Sequence, residues 1–492
     1  MTIVTERREK LIERAQERLA DLKRLQATGL ISKNGDFFPS VHYPPITMYP
    51  PITEEELFAG YTLPADGLLD IYVHIPFCEQ RCFFCHYPVK LGRRQEEEKN
   101  RYLDALEKEM DIYMKILGVK QIKARSILVG GGTPTYLTIE QLTRFLDFFT
   151  KRVDLSACTQ FNYDVDPNTL IGADGIERLR IMKAYGVDRL TIGVQSLNND
   201  ILKKMNRAHN VQEAIESINN SKSFGYQVNI EFIYGYPGET LDNWIEVMEQ
   251  AVSLGVEEIQ LYRLKVEAYG DYQGPIKKLI QKKPEEVPTV EETLMMKQIA
   301  IDILAEHGYH ENLRRVFSTD QKYYSHYAHN QCCMLYDEIG LGLTAFSSLR
   351  NRFGLNTQYF DEYYQKIEAG KLPLNRGIVR TPDDQIRWAI ILPLKNRDIR
   401  KRSFERVTGT ALDHVFKKKF DKLKSYGLLV EDEKCMKLTE LGAFFADEVA
   451  EQFNHPDYIP YPRSDYCQGE LYPYDGCDPF ADRLTMEAES VQ

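Results

Sequence analysis

A chain of 492 residues, 43% hydrophobic and 27% charged, is too long for one small domain and predicts a large catalytic domain with one or two added modules. Its net charge of −11 argues against a nucleic-acid or anionic membrane surface as partner, and no run of about 18 apolar residues is present to span a bilayer. The charged stretch "MTIVTERREKLIERAQERLADLKRLQATG" does not read as a signal peptide, so a reducing, cytoplasmic setting is expected, where nine cysteines serve metal binding or chemistry rather than disulfides.

The first predicted unit, residues 1–67, holds a helix over 5–28 with Leu11, Ala15, Leu19, Leu22 and Leu25 on one face and Gly29 as its stop. Next comes "YPPITMYPPIT" (43–53). Its paired prolines remove backbone donors and keep the chain extended, either as a stiff linker or as an arm across a substrate opening. Residues 68–290 alternate strands and helices. Strand-like runs fall at 68–75, 126–129, 160–165, 189–194, 227–233 and 258–264, with helical stretches such as 97–117, 138–153 and 240–255 between them. The alternation predicts parallel strands joined by right-handed crossovers. Six units are too few to close an eightfold barrel, so the fold class is α/β, a partial (β/α)6 barrel with its site at the carboxyl ends of the strands. Residues 291–380 predict a mixed α/β extension of the barrel. Residues 381–452 predict a mainly helical, winged-helix-like module around "GLLVEDEKCMKLT", with a lid or packing role. Residues 453–492, rich in Tyr, Pro and Asp, read as a tail of weak order.

Directly after the first strand, "YVHIPFCEQRCFFCHYP" (72–88) carries Cys78, Cys82 and Cys85 within eight residues. Thiolates at this density suit zinc or an iron–sulfur cluster. Structural zinc favours two close ligand pairs, and no second pair of matching spacing follows. Three thiolates can each hold one iron of a 4Fe–4S cube and leave one iron open to a reactant, which favours the cluster. In "ILVGGGTPTYL" (127–137) glycines follow a buried strand, where a ligand can approach the backbone or the chain simply turns tightly. Asp164, Gln195, Arg207 and Glu231 stand at successive predicted strand ends, and Arg207 suits a bidentate bond to a carboxylate. Cys332, Cys333, Cys467 and Cys477 are poorly spaced for a second cluster.

The cysteine motif with its "YVHIPFC" lead-in resembles that of radical S-adenosylmethionine (SAM) enzymes, in the oxygen-independent coproporphyrinogen III oxidase-like branch, over about residues 68–450. The resemblance implies a 4Fe–4S cluster on Cys78, Cys82 and Cys85, one or two SAM molecules, a small-molecule substrate and a reducing partner such as flavodoxin or ferredoxin. It also implies SAM contacts from Tyr72, Phe84, Gly131, Gly132, Thr133, Asp164, Gln195, Arg207 and Glu231. Asp164 stands where the family has glutamate, and Glu231 where it more often has aspartate. Tyr87 replaces a cysteine that the decarboxylases carry two places after the third, and neither the arm nor the tail matches theirs. These departures imply C-methylation of an aromatic or conjugated small molecule. Coproporphyrinogen oxidation and a heme-binding chaperone are the alternatives.

Overall fold

A computed structural model describes residues 2–35, 42–92, 95–264 and 275–481. Its centre is six strands laid side by side in chain order: β1 (Leu68–Ile75), β2 (Ile122–Gly131), β3 (Phe161–Val165), β4 (Arg189–Gln195), β5 (Gln227–Tyr234) and β6 (Glu258–Arg263). Each is parallel to the next. Helices fill the crossovers, among them α2 (Glu96–Leu117), α3 (Ile139–Arg152), α4 (Gly172–Ala184), α5 (Val211–Ser223) and α6 (Leu241–Ser253); α1 (Thr2–Ala27) precedes the sheet and α7 (Val290–Glu306) follows β6. The first turns of α3 and α6 are fixed by reciprocal capping at Thr138/Gln141 and Thr240/Asn243, which satisfies backbone donors that a helix start leaves open. The inner faces of α2, α3 and α6 bury Tyr102, Met110, Phe145, Phe149 and Trp244, each contributing about 1.5–3 kcal/mol of burial.

The sheet continues at both edges. The hairpin β7 (His310–Leu313) and β8 (Val316–Ser318) adds antiparallel to β6. On the other side β9 (Glu338–Leu341) lies parallel to β1 and leads into the antiparallel β10 (Phe346–Leu349), β11 (Arg352–Asn356) and β12 (Leu374–Val379). The order β7-β8-β6-β5-β4-β3-β2-β1-β9-β10-β11-β12 leaves two ends that do not pair, so the barrel is partial.

The C-terminal region opens with helix α8 (Pro382–Asn396), two shorter helices (Lys401–Thr408 and Lys417–Ser425) and a three-stranded antiparallel sheet of Asp398–Arg400, Cys435–Leu438 and Leu429–Glu431. Its own core gathers Trp388, Ile391, Phe404, Phe420 and Phe453, and Leu22 and Leu25 of α1 insert into it. The N-terminal helix therefore packs on the body, as its apolar face predicts.

Two segments differ from what composition suggests. Residues 453–481 are not a loose tail: Ile459, Tyr466 and Tyr472 are buried together. The carbonyls of Pro473 and Cys477 accept hydrogen bonds from Lys419 Nζ (3.1 Å) and Arg387 Nη2 (2.5 Å). Aromatic burial and charged donors hold a segment that its Tyr, Pro and Asp content makes look unstructured; residues 482–492 lie outside the described residues. The proline arm is also fixed, with Tyr43 and Tyr49 buried and Pro51 bridged to Arg376 of β12. Among the described residues no helix is long and apolar enough to cross a membrane.

Candidate functional site

Alternate residues of a strand share one face, and the register sets Tyr72 beside Leu128, Leu128 beside Asn162, Asp164 beside Thr191 and Glu231 beside Gln260. These side chains wall two adjoining cavities, an outer one of about 620 Å³ and an inner one of about 280 Å³. Leu128, Asp164, Thr191, Glu231, Tyr262, Tyr327 and Phe346 belong to both.

The outer cavity contains the cysteine loop, and Cys78, Cys82 and Cys85 all line it. The loop is pinned from outside by Asn206 Nδ2 donating to the Arg81 carbonyl (2.8 Å) and the Phe83 amide donating to the Met205 carbonyl (3.0 Å). Arg207 Nη1 donates to Cys82 Sγ at 3.0 Å, and the Thr133 hydroxyl to Cys78 Sγ at 3.5 Å. A Cβ on Gly132 would sit 2.8 Å from the Phe77 carbonyl and 2.9 Å from Cys78 Sγ, so only glycine lets strand β2 pass this close to the loop.

Burial pushes the Cys78 thiol up to about 12, and burial likewise raises Cys85. A metal centre bound here would favour the thiolate form of Cys78 and Cys85 against that burial. Among the described residues no three His, Cys, Asp or Glu side chains form a group able to hold a single metal ion. A 4Fe–4S cube instead spreads its three cysteines over three irons, and all-sulfur donors with hydrogen bonds to two of them suit it. The residues present fit that cluster.

Charge in the outer cavity is organised in two layers. Nearest the loop, Arg207 Nη2 bonds Asp166 Oδ2 at 2.5 Å and the Gly193 carbonyl at 2.7 Å. Burial alone would raise Asp166, but Arg207, with His209, holds its carboxyl down at about 2. On the wall shared with the inner cavity, Asp164 and Glu231 are pushed the opposite way. Burial raises both, and the charge of Asp164 raises Glu231 further. Asn162 Nδ2 donates to Asp164 (3.1 Å) and the Tyr262 hydroxyl to Glu231 (3.4 Å), yet no cation ion-pairs with either among the described residues. Arg189 below them is already committed to Glu258. A cationic ligand would be drawn to this pair.

All nine residues expected to contact SAM line the outer cavity: Tyr72, Phe84, Gly131, Gly132, Thr133, Asp164, Gln195, Arg207 and Glu231. The Tyr72 hydroxyl lies 3.0 Å from His74 Nδ1. Phe84 packs on the apolar patch of Ile201, Met205 and Ile276 that backs the loop. Gln195 ends its strand with a φ of 67°. Tyr87 is 58% exposed and lies on the same wall. Sequence reasoning passed over Asp166 and Tyr262, although each lies two residues from a polar residue, Asp164 or Gln260, on the same face of its strand. Tyr327 and Phe346 carried no such signal. Cys467 and Cys477 line neither cavity, while Cys332 lines the inner one.

Residues 72–251 match the radical SAM superfamily, and residues 380–445 match the HemN C-terminal domain. The chain is 28% identical over 385 residues to the heme chaperone HemW of Bacillus subtilis, covering 77% of this chain and 97% of that one. It is 27% identical over 337 residues to the oxygen-independent coproporphyrinogen III oxidase of Escherichia coli, covering 66% and 71%. The solved structure of coproporphyrinogen III oxidase (HemN) from Escherichia coli superposes with a TM-score of 0.70 at 24% identity, over 84% of this chain and 96% of that chain. That likeness concerns the fold.

Proposed function

Because the chain belongs to the HemN-like radical SAM family, whose chemistry uses a 4Fe–4S cluster and SAM, we propose that it abstracts hydrogen from a small conjugated substrate held next to SAM. One observation carries the reading: the cavity holding three loop thiols shares a wall with a second, inner cavity where a substrate can lie. Cys78, Cys82 and Cys85 would hold the cluster, which would supply the single electron needed for reductive cleavage of SAM. The chain's residues do the rest. Arg207 and Thr133 steady two of the thiolates, and the glycines of 130–132 leave room for the methionyl end of SAM. Asp164 and Glu231 offer negative charge to its cationic groups. Their place on the wall common to both cavities would hold the cofactor next to the inner one, where the aromatic rings would limit access of water. A flavodoxin- or ferredoxin-like donor in the cytoplasm is the proposed source of the electron.

Methyl transfer, the expectation that Tyr87 suggested, gains no support from the relatives, whose names are those of an oxidase and a heme chaperone. Oxidation without methyl transfer is therefore the reading preferred here. The test is SAM cleavage by anaerobically reconstituted, reduced protein using methyl-labelled SAM. Expected is 5′-deoxyadenosine with the label retained in methionine; label in another product restores the methyltransferase. The likeness to a heme chaperone over 97% of that protein's length supports a second reading. Stoichiometric heme binding with no 5′-deoxyadenosine would replace the enzyme by a heme carrier.

A further inference from the structure

The inner cavity is assembled from three distant parts of the chain. His42 and Tyr49 come from the arm, Tyr327 from the short helix His326–His329 and Phe346 from strand β10, both beyond the six central strands, and Trp388 and Leu392 from α8. Part of its wall is an aromatic cluster: the Phe346 and Phe353 rings stack at 5.0 Å, and His42 meets Phe346 edge-on at 4.7 Å. Burial, then the charges of Lys395 and Arg380, push His42 down to about 3, so it is a neutral ring at physiological pH.

Arg380 stands out in this wall. Three arginines are buried among the described residues: Arg189, Arg380 and Arg387. Arg189 pairs with Glu258, and Arg387 with Asp383 at 2.7 Å. Arg380, 3% exposed, has no carboxylate in ion-pair contact among the described residues. Its Nε donates to Gln385 Oε1 (2.8 Å) and its Nη2 to the Arg350 carbonyl (2.7 Å), while Nη1 is buried without any partner. The guanidinium lies 4.0 Å over the Trp388 ring. A second buried cation, Lys395, 4% exposed, follows Trp388 by two turns of α8 and has no ion-pair partner among the described residues. Asp384 and Asp337 act on Arg380, and Asp447 on Lys395, only through longer-range attraction, whereas the other two buried arginines have a carboxylate in contact, so the two cations carry an electrostatic debt. An anion in the chamber would offset it.

Resting on the reading of this site as a SAM-dependent enzyme, we infer that Arg380, backed by Lys395, anchors the carboxylate of a flat aromatic or conjugated substrate of one or two fused rings. Nη1 supplies the charge-assisted hydrogen bond, and Trp388 with the Phe346–Phe353 pair holds the ring. The far end then reaches the wall of Asp164 and Glu231 shared with the outer cavity. The chamber's volume of about 280 Å³, just under the roughly 300–1,000 Å³ of small-molecule sites, suits one or two rings.

The test is calorimetric titration of the full-length, cluster-loaded protein with 2-naphthoate, 2-naphthamide and coproporphyrin III. The acid is expected to bind about tenfold or more tightly than the amide, the usual weight of a charge-assisted bond. Arg380→Gln should erase that ratio and Arg380→Lys should keep part of it. Equal binding of acid and amide to the wild-type chain overturns the proposal, as does a folded Arg380→Gln chain that keeps the preference. Tighter binding of coproporphyrin than of naphthoate also overturns it. If Arg380→Gln fails to fold, Lys395→Gln is read instead: selective weakening of the acid supports the anchor and an unchanged ratio refutes it. Absence of 5′-deoxyadenosine from wild-type protein would instead sink the enzyme reading, through a measurement independent of the acid-to-amide ratio.

Discussion

The outer and inner cavities share a wall but solve opposite problems. Around the cysteine loop the strong cation is matched: Arg207 has Asp166 and a cysteine sulfur. The unmatched charge there is negative, on Asp164 and Glu231. The inner chamber shares those two carboxylates and adds an unmatched positive charge, Arg380, beside a cluster of aromatic rings. A cationic cofactor and an anionic substrate would thus be sorted by charge to their own sides of one wall. Residual charge marks a binding preference more sharply than volume does.

The comparison can be broken at several points. The largest effect is expected from Cys82→Ala, which should remove the cluster's visible absorbance and reduce SAM cleavage to background; an unchanged spectrum would show that the loop is not its ligand set. Arg207→Met strips the partner from a buried carboxylate and should cost about 3–5 kcal/mol, read as a lower urea midpoint. Its sign with pH is fixed. Asp166 is held down to about 2, below its unfolded value, so the pair adds stability above that unfolded value and loses it as pH falls toward 2. The acid limb of stability should therefore flatten in Arg207→Met.

On the shared wall, Asp164 and Glu231 are raised by burial, so the free protein loses stability as pH rises above their unfolded values near 4. SAM, a cation, should pull a proton off the pair, so its affinity should rise with pH by up to about tenfold per unit between pH 6 and 8. Glu231→Gln should reduce that slope; an unchanged slope would remove the carboxylate pair from SAM binding. The smallest effect belongs to Tyr72→Phe, which gives up one neutral hydrogen bond to His74 and should lower stability by about 1 kcal/mol with the cluster spectrum intact. A lost spectrum would show that Tyr72 holds the loop itself.

What could be read from the chain follows how its parts are written. The cysteine loop, the glycine run and the polar strand ends are contiguous or periodic, so local pattern together with the family resemblance picked out nine candidate contacts that all line one cavity. Asp166 obeys the same two-residue period and was within reach. The inner chamber was not, because His42, Tyr327, Arg380 and Trp388 share no local pattern and meet only when arm, sheet and C-terminal helices pack. The tail was misjudged because composition counts Pro and Asp but not the donors, Arg387 and Lys419, that its carbonyls find.

The three-part wall also bears on the order of events in the cell. A ribosome finishes the cysteine loop and strand β6 by residue 263, but Trp388 and Leu392 arrive only with α8. For that interval the chain would own a radical source without its container. A primary carbon radical takes hydrogen from whatever C–H bond is nearest, including those of its own host. Delivery of iron and sulfide only after synthesis is complete would spare the nascent protein from damaging itself.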